Sequence, residues 1–396
     1  MCGIAGIFHL ETAKPVDPAR LRKMTDSLVH RGPDGSGIWT APGVGLGHRR
    51  LSIIDLEGGA QPMLTPDEAQ VLCFNGEIYN FQDVRAELET YGHEFHTDSD
   101  SEVILYAWRQ WGVDCLKRLN GMFVIAIYDQ RTKQMFLARD RLGVKPLFYA
   151  PVSDGSIIFG SELKALLANP LLRREPHLPA VDDFLAFGYV PDQTSLLKGV
   201  KKLPAGHYML LERGKPEPAP IQYWDMDFSQ RSKASAGTLE EELVTLLKDA
   251  VGSRMIADVP LGAFLSGGVD SSAVVALMSE KSRRPVKTCS IGFDQQSLDE
   301  TGYAQTIADR FQTDHRSRTV AADDYGLIDT LADHFDEPFA DGSALPTYRV
   351  CELAREDVTV RSEGVVEGKR GEIGGGRGLK KEKRSNWRSG VRETCI

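Results

Sequence analysis

Met1-Cys2-Gly3-Ile4-Ala5-Gly6-Ile7-Phe8 opens the chain. From residue 2 to 8 it is apolar and glycine-spaced, a β-type run at the very start. Further short runs of this type follow at 50–54, 122–128, 134–138, 147–150 and 156–160, separated by turn residues. Asn75-Gly76, set between 71–74 and 77–79, reads as a hairpin with a type I′ turn, because both central positions of such a turn need φ > 0. Three stretches break the pattern with helical periodicity: 18–28, 82–91 and 101–111. Strands with interspersed helices predict an α+β first domain over residues 2–190.

The grammar then changes. Residues 191–237 read as a connecting hairpin (198–211) and a linker containing Gly214-Lys215-Pro216-Glu217-Pro218-Ala219-Pro220. From 238 to 360, strands (259–265, 287–293, 315–320, 358–360) alternate with helices (239–254, 270–280, 301–311, 344–355). That alternation predicts a parallel, doubly wound sheet, incomplete in this chain. Residues 361–396 form a basic, Gly-rich tail without period, expected to be disordered.

Composition narrows the function. The 396 residues carry a net charge of −9, split into +5 on 361–396 and −14 on the remainder. An acidic body argues against nucleic acid as a partner. Six cysteines at 2, 73, 115, 289, 351 and 395 have no zinc-site spacing, so neither zinc nor an organic cofactor is expected. So few cysteines in so long a chain point to a reducing, cytoplasmic setting. No signal peptide is read at the start, and the most apolar runs are too short for a bilayer, so no membrane partner is expected.

Removal of Met1 would expose Cys2 with a free α-amine, whose reference pKa of about 7.7–8.0 suits it to be the thiol's own base. Alone, Met-Cys reads rather as a small buried residue in a first strand. Its company is more specific: His30-Arg31-Gly32-Pro33-Asp34, Arg50-Leu51-Ser52-Ile53-Ile54-Asp55, Asn75-Gly76-Glu77-Ile78-Tyr79-Asn80, Thr97-Asp98-Ser99-Asp100-Ser101-Glu102 and Arg139-Asp140-Arg141-Leu142-Gly143-Val144-Lys145-Pro146-Leu147. Together these resemble the class II glutamine amidotransferase domain of the glutamine-hydrolysing, B-type asparagine synthetases. The resemblance runs over about residues 1–360. It implies an αββα N-terminal-nucleophile sandwich that hydrolyses glutamine to glutamate and ammonia. Carried over residue by residue, it makes Cys2 the nucleophile and gives Asn75 and Gly76 the oxyanion hole. Arg50 would meet the substrate carboxylate, Asp100 its ammonium. Leu51, Ser52, Ile53, Ile54 and Glu77 would complete the glutamine site. Arg49 is the less suited neighbour of Arg50, and Arg31 is read as structural.

Ser266-Gly267-Gly268-Val269-Asp270-Ser271-Ser272, between an apolar strand and a helix, offers backbone N–H groups and hydroxyls to an anion. It resembles the pyrophosphate loop of the N-type ATP pyrophosphatases. The resemblance places Ser266, Gly267, Gly268, Asp270, Ser271 and Ser272 around ATP phosphates, Asp270 also on Mg²⁺, and Leu265 and Ile291 against adenine and ribose. A segment at 337–348 matches a further family stretch. Glutamine, ATP with Mg²⁺ and aspartate are the implied substrates of an asparagine-forming ligase, with a homodimer as the implied assembly. After 358–360 the family's Ser-Gly-Asp-Gly-Gly-Asp-Glu loop is replaced by Arg361-Ser362-Glu363-Gly364. The reading is a frameshift or truncation near residue 360 that impairs the synthetase half. Alternatives are an amidotransferase for another carboxylate acceptor, or an inactive remnant that serves as a binding subunit.

Overall fold

The computed structural model describes residues 1–295, 299–320 and 325–361. The expectation for the tail beyond Arg361 lies outside them. One compact unit comprises Met1–Asp225 with Phe335–Ala340; the other comprises Met226–His334 and the residues from Asp341 onward.

Two six-stranded sheets build the first unit. In one, Gly3–His9 lies between Val44–Arg50 and Ser156–Gly160, with Gly35–Ala41 and Lys201–Lys202 at the edges and Phe148–Pro151 inside the latter. The other runs Ile221–Gln222, His207–Glu212, Gln134–Arg139, Gly121–Asp129, Gln70–Ile78, Met63–Leu64. All seven residues of Gly3–His9 are buried, because the strand is covered on both faces. Ile4 and Phe8 enter the core between the sheets, while Ala5 and Ile7 face the core under helices Pro18–Asp26 and Leu163–Leu167. On the far side, helix Asp100–Trp111 packs on the second sheet, where Trp108 stacks on Phe136 at 4.5 Å. The layers are helix, sheet, sheet, helix, as the αββα reading requires.

Both backbone groups of Ile4 close on Ser161: the Ile4 N–H donates to Ser161 Oγ (3.0 Å) and the Ser161 N–H donates to Ile4 O (3.0 Å). Ser161→Ala would leave a buried N–H without an acceptor. We expect it to cost about 1–3 kcal/mol of unfolding free energy, read from urea titration; a change within about 0.3 kcal/mol would refute the assignment.

Three sequence expectations need correction. Asn75-Gly76 is not a turn: Gln70–Ile78 is one continuous strand, paired residue for residue with Gly121–Asp129. Gly76 has no positive φ; a Cβ there would lie 2.1 Å from Met122 O and 2.7 Å from Phe123 Cα. Glycine serves the close approach of the neighbouring strand rather than a turn. The strand expected at 50–54 lies upstream, at Val44–Arg50, and the chain leaves the sheet after Arg50. Its glycine-interrupted Val-Gly-Leu-Gly-His start hides it from a hydrophobicity scan. Residues 198–211 do not form a hairpin either. Lys201–Lys202 pairs with Phe148 and Tyr149 in the first sheet, His207–Glu212 with Gln134–Ala138 in the second.

The second unit contains a four-stranded, all-parallel sheet in the order Asp314–Val320, Lys287–Phe293, Leu261–Phe264, Val360–Arg361. Helices Ala236–Ser253, Val269–Lys281 and Thr301–Phe311 bury Val251, Val274, Val275, Met278, Ala304 and Ala308 with Ala263 and Leu265 on one face. Helix Ala344–Arg355 covers the other with Cys351, Leu353 and Ala354, against Phe264 and Cys289. Successive residues of one strand, Ala263 and Phe264, serve opposite faces, so the sheet is doubly wound. No helix among the described residues is long and apolar enough to cross a membrane.

Candidate active sites

Cys2 sits just before the first strand, where its even-numbered position points the side chain inward, as Ile4 and Phe8 do. It lines a cleft that opens to solvent. Every residue expected in the glutamine site lines that cleft except Ser52: Cys2, Arg50, Leu51, Ile53, Ile54, Asn75, Gly76, Glu77 and Asp100. Ser52 instead donates its N–H to Asp34 Oδ2 at 2.9 Å. The thiol meets the backbone of Leu51, whose N–H donates to Sγ at 3.4 Å and whose carbonyl lies 3.6 Å from it. Burial pushes the Cys2 thiol pKa up, against the pull of the terminal amine, the Leu51 backbone, Arg50 and Arg31.

The second sheet supplies two donors. Asn75 is buried, and its Nδ2 has no hydrogen-bond partner. On the same strand, the Phe74 N–H goes to Gln61 Oε1 (2.6 Å) and the Ile78 N–H to Asp100 Oδ2 (3.0 Å). Strand alternation aims the Gly76 N–H at the same edge, between those two. A buried amide without a partner is costly in a native structure. Beside a thiol, such a donor has the character an oxyanion hole requires.

Arg50 reaches the cleft from the end of Val44–Arg50 and is braced by the carbonyls of Leu56 (2.8 Å), Ile54 (3.3 Å) and Asp55 (2.5 Å). Arg49 turns the other way, to Asp26 at 2.5 Å. Asp100 stands at the first position of helix Asp100–Trp111, capped by Ser99. Burial pushes its carboxyl up to about 6, although the N–H groups of Ile78, Ser101 and Asp100 itself, with Arg50, pull it down. An α-ammonium needs the carboxylate form. Above about pH 6 that form dominates; below it, protonation removes the partner. We therefore expect the Kd for glutamine, measured by calorimetry on the Cys2→Ala chain, to be flat at neutral pH. Below pH 6 it should rise up to about tenfold per unit. A pH-independent Kd would exclude Asp100 as the ammonium partner.

Three further side chains lie around the terminus: Arg31, read from the sequence as structural, and His48 and Lys145, which the sequence reading gave no role. Arg31, fully buried, donates from Nε to the Cys2 carbonyl (2.9 Å) and pairs with Glu162 (2.8 Å). It holds the Cys2 backbone, in keeping with the structural reading, through a contact that a lone Arg in a turn did not specify. His48 donates through Nε2 to Phe74 O (3.0 Å), and its buried Nδ1 has no partner. Burial brings it down to about 4, so it is neutral. Lys145, 3% exposed, lines the cleft from the Arg139–Lys145 motif.

In the second unit, the loop after Leu261–Phe264 folds on its own hydroxyls. Ser266 Oγ and Ser271 Oγ are 3.0 Å apart, and the Gly268 N–H donates to Ser266 Oγ at 3.3 Å. Gly267 has φ +77°, and a Cβ there would meet Tyr303 Cβ at 2.4 Å, so the position demands glycine twice over. Gly268 caps helix Val269–Lys281 without a side-chain bond, Asp270 stands in its first turn, and the buried Ser272 Oγ has no partner. The two residues expected at the adenine and ribose do not converge: the Leu265 side chain packs with Ala263 under the helices, and Ile291 packs on the opposite face, with Phe264 and Cys289. Among the described residues no three His, Cys, Asp or Glu side chains form a metal-binding group.

A family model described as a glutamine amidotransferase domain matches residues 1–224, and one described as asparagine synthase matches 242–365. A putative glutamine-hydrolysing asparagine synthetase 2 of Methanocaldococcus jannaschii is 39% identical, over 91% of this chain and 73% of its own length. Asparagine synthetase 1 of Bacillus subtilis is 36% identical over 92% of this chain, which spans 57% of that relative. Asparagine synthetase B of Escherichia coli is 35% identical over 72% of this chain and 46% of its own.

Proposed function

Because the chain belongs to the family of glutamine-hydrolysing asparagine synthetases, we propose that its first unit is a glutaminase with Cys2, freed of Met1, as nucleophile. The observation that carries this reading is the unpartnered amide of Asn75 beside Cys2 at the wall of one cleft. Glutamine enters with its α-carboxylate on Arg50, where a guanidinium fork fits a carboxylate, and its ammonium on Asp100. These two contacts leave the side-chain amide facing Sγ. The α-amine of Cys2 takes the thiol proton, the thiolate attacks the γ-carbonyl, and Asn75 Nδ2 with the Gly76 N–H receives the oxyanion. Collapse expels ammonia and leaves a γ-glutamyl thioester, which water hydrolyses.

The released ammonia is the proposed substrate of the second unit, where aspartate would be activated by ATP. Loop Ser266–Ser272 and the N-terminus of helix Val269–Lys281 fit a phosphate chain through backbone N–H groups, hydroxyls and the helix dipole. A single carboxylate, Asp270, suits an Mg²⁺ ion that arrives mostly on phosphate oxygens. The strand Val360–Arg361 is followed by Ser362-Glu363-Gly364 in place of a second acidic glycine loop, and we propose that amide synthesis is impaired in this chain for that reason.

Mass spectrometry after a quench with glutamine tests the first part: a γ-glutamyl adduct on an N-terminal Cys2 is expected, and glutamate release without one would overturn it. Aspartate-dependent pyrophosphate release at a normal rate would overturn the impairment. Pyrophosphate release with another carboxylate, but not aspartate, would favour the alternative acceptor.

A further inference from the structure

The turn Arg139-Asp140-Arg141-Leu142-Gly143-Val144-Lys145 has no part in the steps above, yet it is densely bonded. Asp140 Oδ1 accepts the N–H groups of Leu142 (3.1 Å) and Val144 (2.9 Å); Oδ2 accepts those of Lys145 (3.0 Å) and Phe123 (3.1 Å). Arg139 grips the other side, donating to the carbonyls of Lys145 (2.7 Å), Gly143 (2.7 Å) and Leu203 (2.8 Å). Of this turn, only Lys145 lines the Cys2 cleft, and its Nζ abuts the Met1 sulfur. A buried ammonium is costly to hold. Here two further buried charged residues, Arg139 and Asp140, fix the backbone that carries it.

We propose that Lys145 is a positioning residue of the glutaminase centre, whose charge keeps the α-amine of processed Cys2 in its neutral, proton-accepting form. The inference rests on the reading of Cys2 as an N-terminal nucleophile. Arg31, Arg50 and Lys145 face the terminus as cations, Glu77, Asp100 and the Cys2 thiol as acids. Bound glutamine engages Arg50 and Asp100 with its own charges, and Glu162 already engages Arg31. Lys145 and Glu77 line the same cleft and act on the terminal amine in opposite senses. In the chain that still bears Met1, burial holds the terminal amine well below its ordinary value. Arg31 and Lys145 pull the same way, with Cys2 and Glu77 opposing. The proton balance is closed: the amine takes the proton from Sγ as the S–C bond forms, then returns it to the departing nitrogen, which leaves as ammonia.

The test uses the full chain, released from a cleavable leader so that residue 2 is first, as wild type, Lys145→Met, Lys145→Gln and Lys145→Arg. Two pH profiles are read: glutaminase kcat/KM, and the rate at which cyanate carbamylates the terminal amine in the Cys2→Ala background. Without the charge, the acid limb of both should move up by about one pH unit, while Lys145→Arg keeps it in place. Lys145→Gln guards against a fold that does not accept methionine. Superimposed carbamylation profiles for wild type and either neutral variant overturn the proposal. A wild type that carbamylates normally but releases no glutamate sinks the glutaminase reading instead, and the amine titration still decides the role of Lys145.

Discussion

Cys2→Ala is expected to abolish glutamine hydrolysis, with a loss on the order of 10⁴-fold or more. Substitution removes the sulfur proposed to form the thioester, and no other cysteine among the described residues lines the cleft. Water attack on a bound amide would retain only what Arg50, Asp100, Asn75 and Gly76 contribute by binding and by holding the oxyanion. Folding should be nearly indifferent, since the hydrogen bonds of Sγ are two long ones, of 3.4 and 3.6 Å, to the Leu51 backbone. The variant should therefore melt within a few degrees of the wild type and still bind glutamine. Cys2→Ser should also fall far, because a hydroxyl yields its proton to an amine much less readily than a thiol does. Glutamate release by Cys2→Ala within tenfold of the wild type would exclude the nucleophile outright. Coupling to the second unit is tested in the same variant: any pyrophosphate release supported by added ammonia should survive, and any supported by glutamine should not.

The membership of the proposed glutamine site was more legible in the sequence than some of its geometry. Motif order singled out Cys2, Arg50, Asn75, Gly76 and Asp100, and one cleft gathers them. Local rules misread how they are held. Asn75-Gly76 carries the strongest turn signal in the chain, but the signal is two-fold: glycine permits positive φ, and it also permits another backbone to come close. Pairing with Gly121–Asp129 decided for the second, a long-range fact no window of residues contains. The strand at Val44–Arg50 escaped notice because glycines interrupt it, and the 198–211 hairpin failed because its two arms serve different sheets. Arg31 and Lys145 were visible only as parts of motifs. Their contacts lie 29 and 144 residues away, at Cys2 and Met1, where sequence spacing says nothing. In the second unit alternation predicted the parallel sheet correctly, while opposite facing of Leu265 and Ile291 follows from residue parity on neighbouring strands.

Asn75→Ala is the prediction that best separates catalysis from architecture. The side chain is 1% exposed and its Nδ2 has no partner, so the free enzyme carries a desolvated donor at a cost of about 1–3 kcal/mol. An alanine there deletes that unmet donor together with a little packing. Stability should accordingly hold or rise slightly, against the usual direction for a buried site. Turnover should move the opposite way. Loss of one oxyanion donor should lower kcat by about 10²–10³-fold, with KM for glutamine little changed, because the substrate contacts proposed at Arg50 and Asp100 are untouched. Asn75→Asp sharpens the test: it keeps the shape but sets a negative charge where the oxyanion forms, and should be slower still. A variant that unfolds more readily and loses kcat and KM together would mean that Asn75 is a packing residue. Opposed changes in stability and kcat would mark it as strain held in the fold for the transition state.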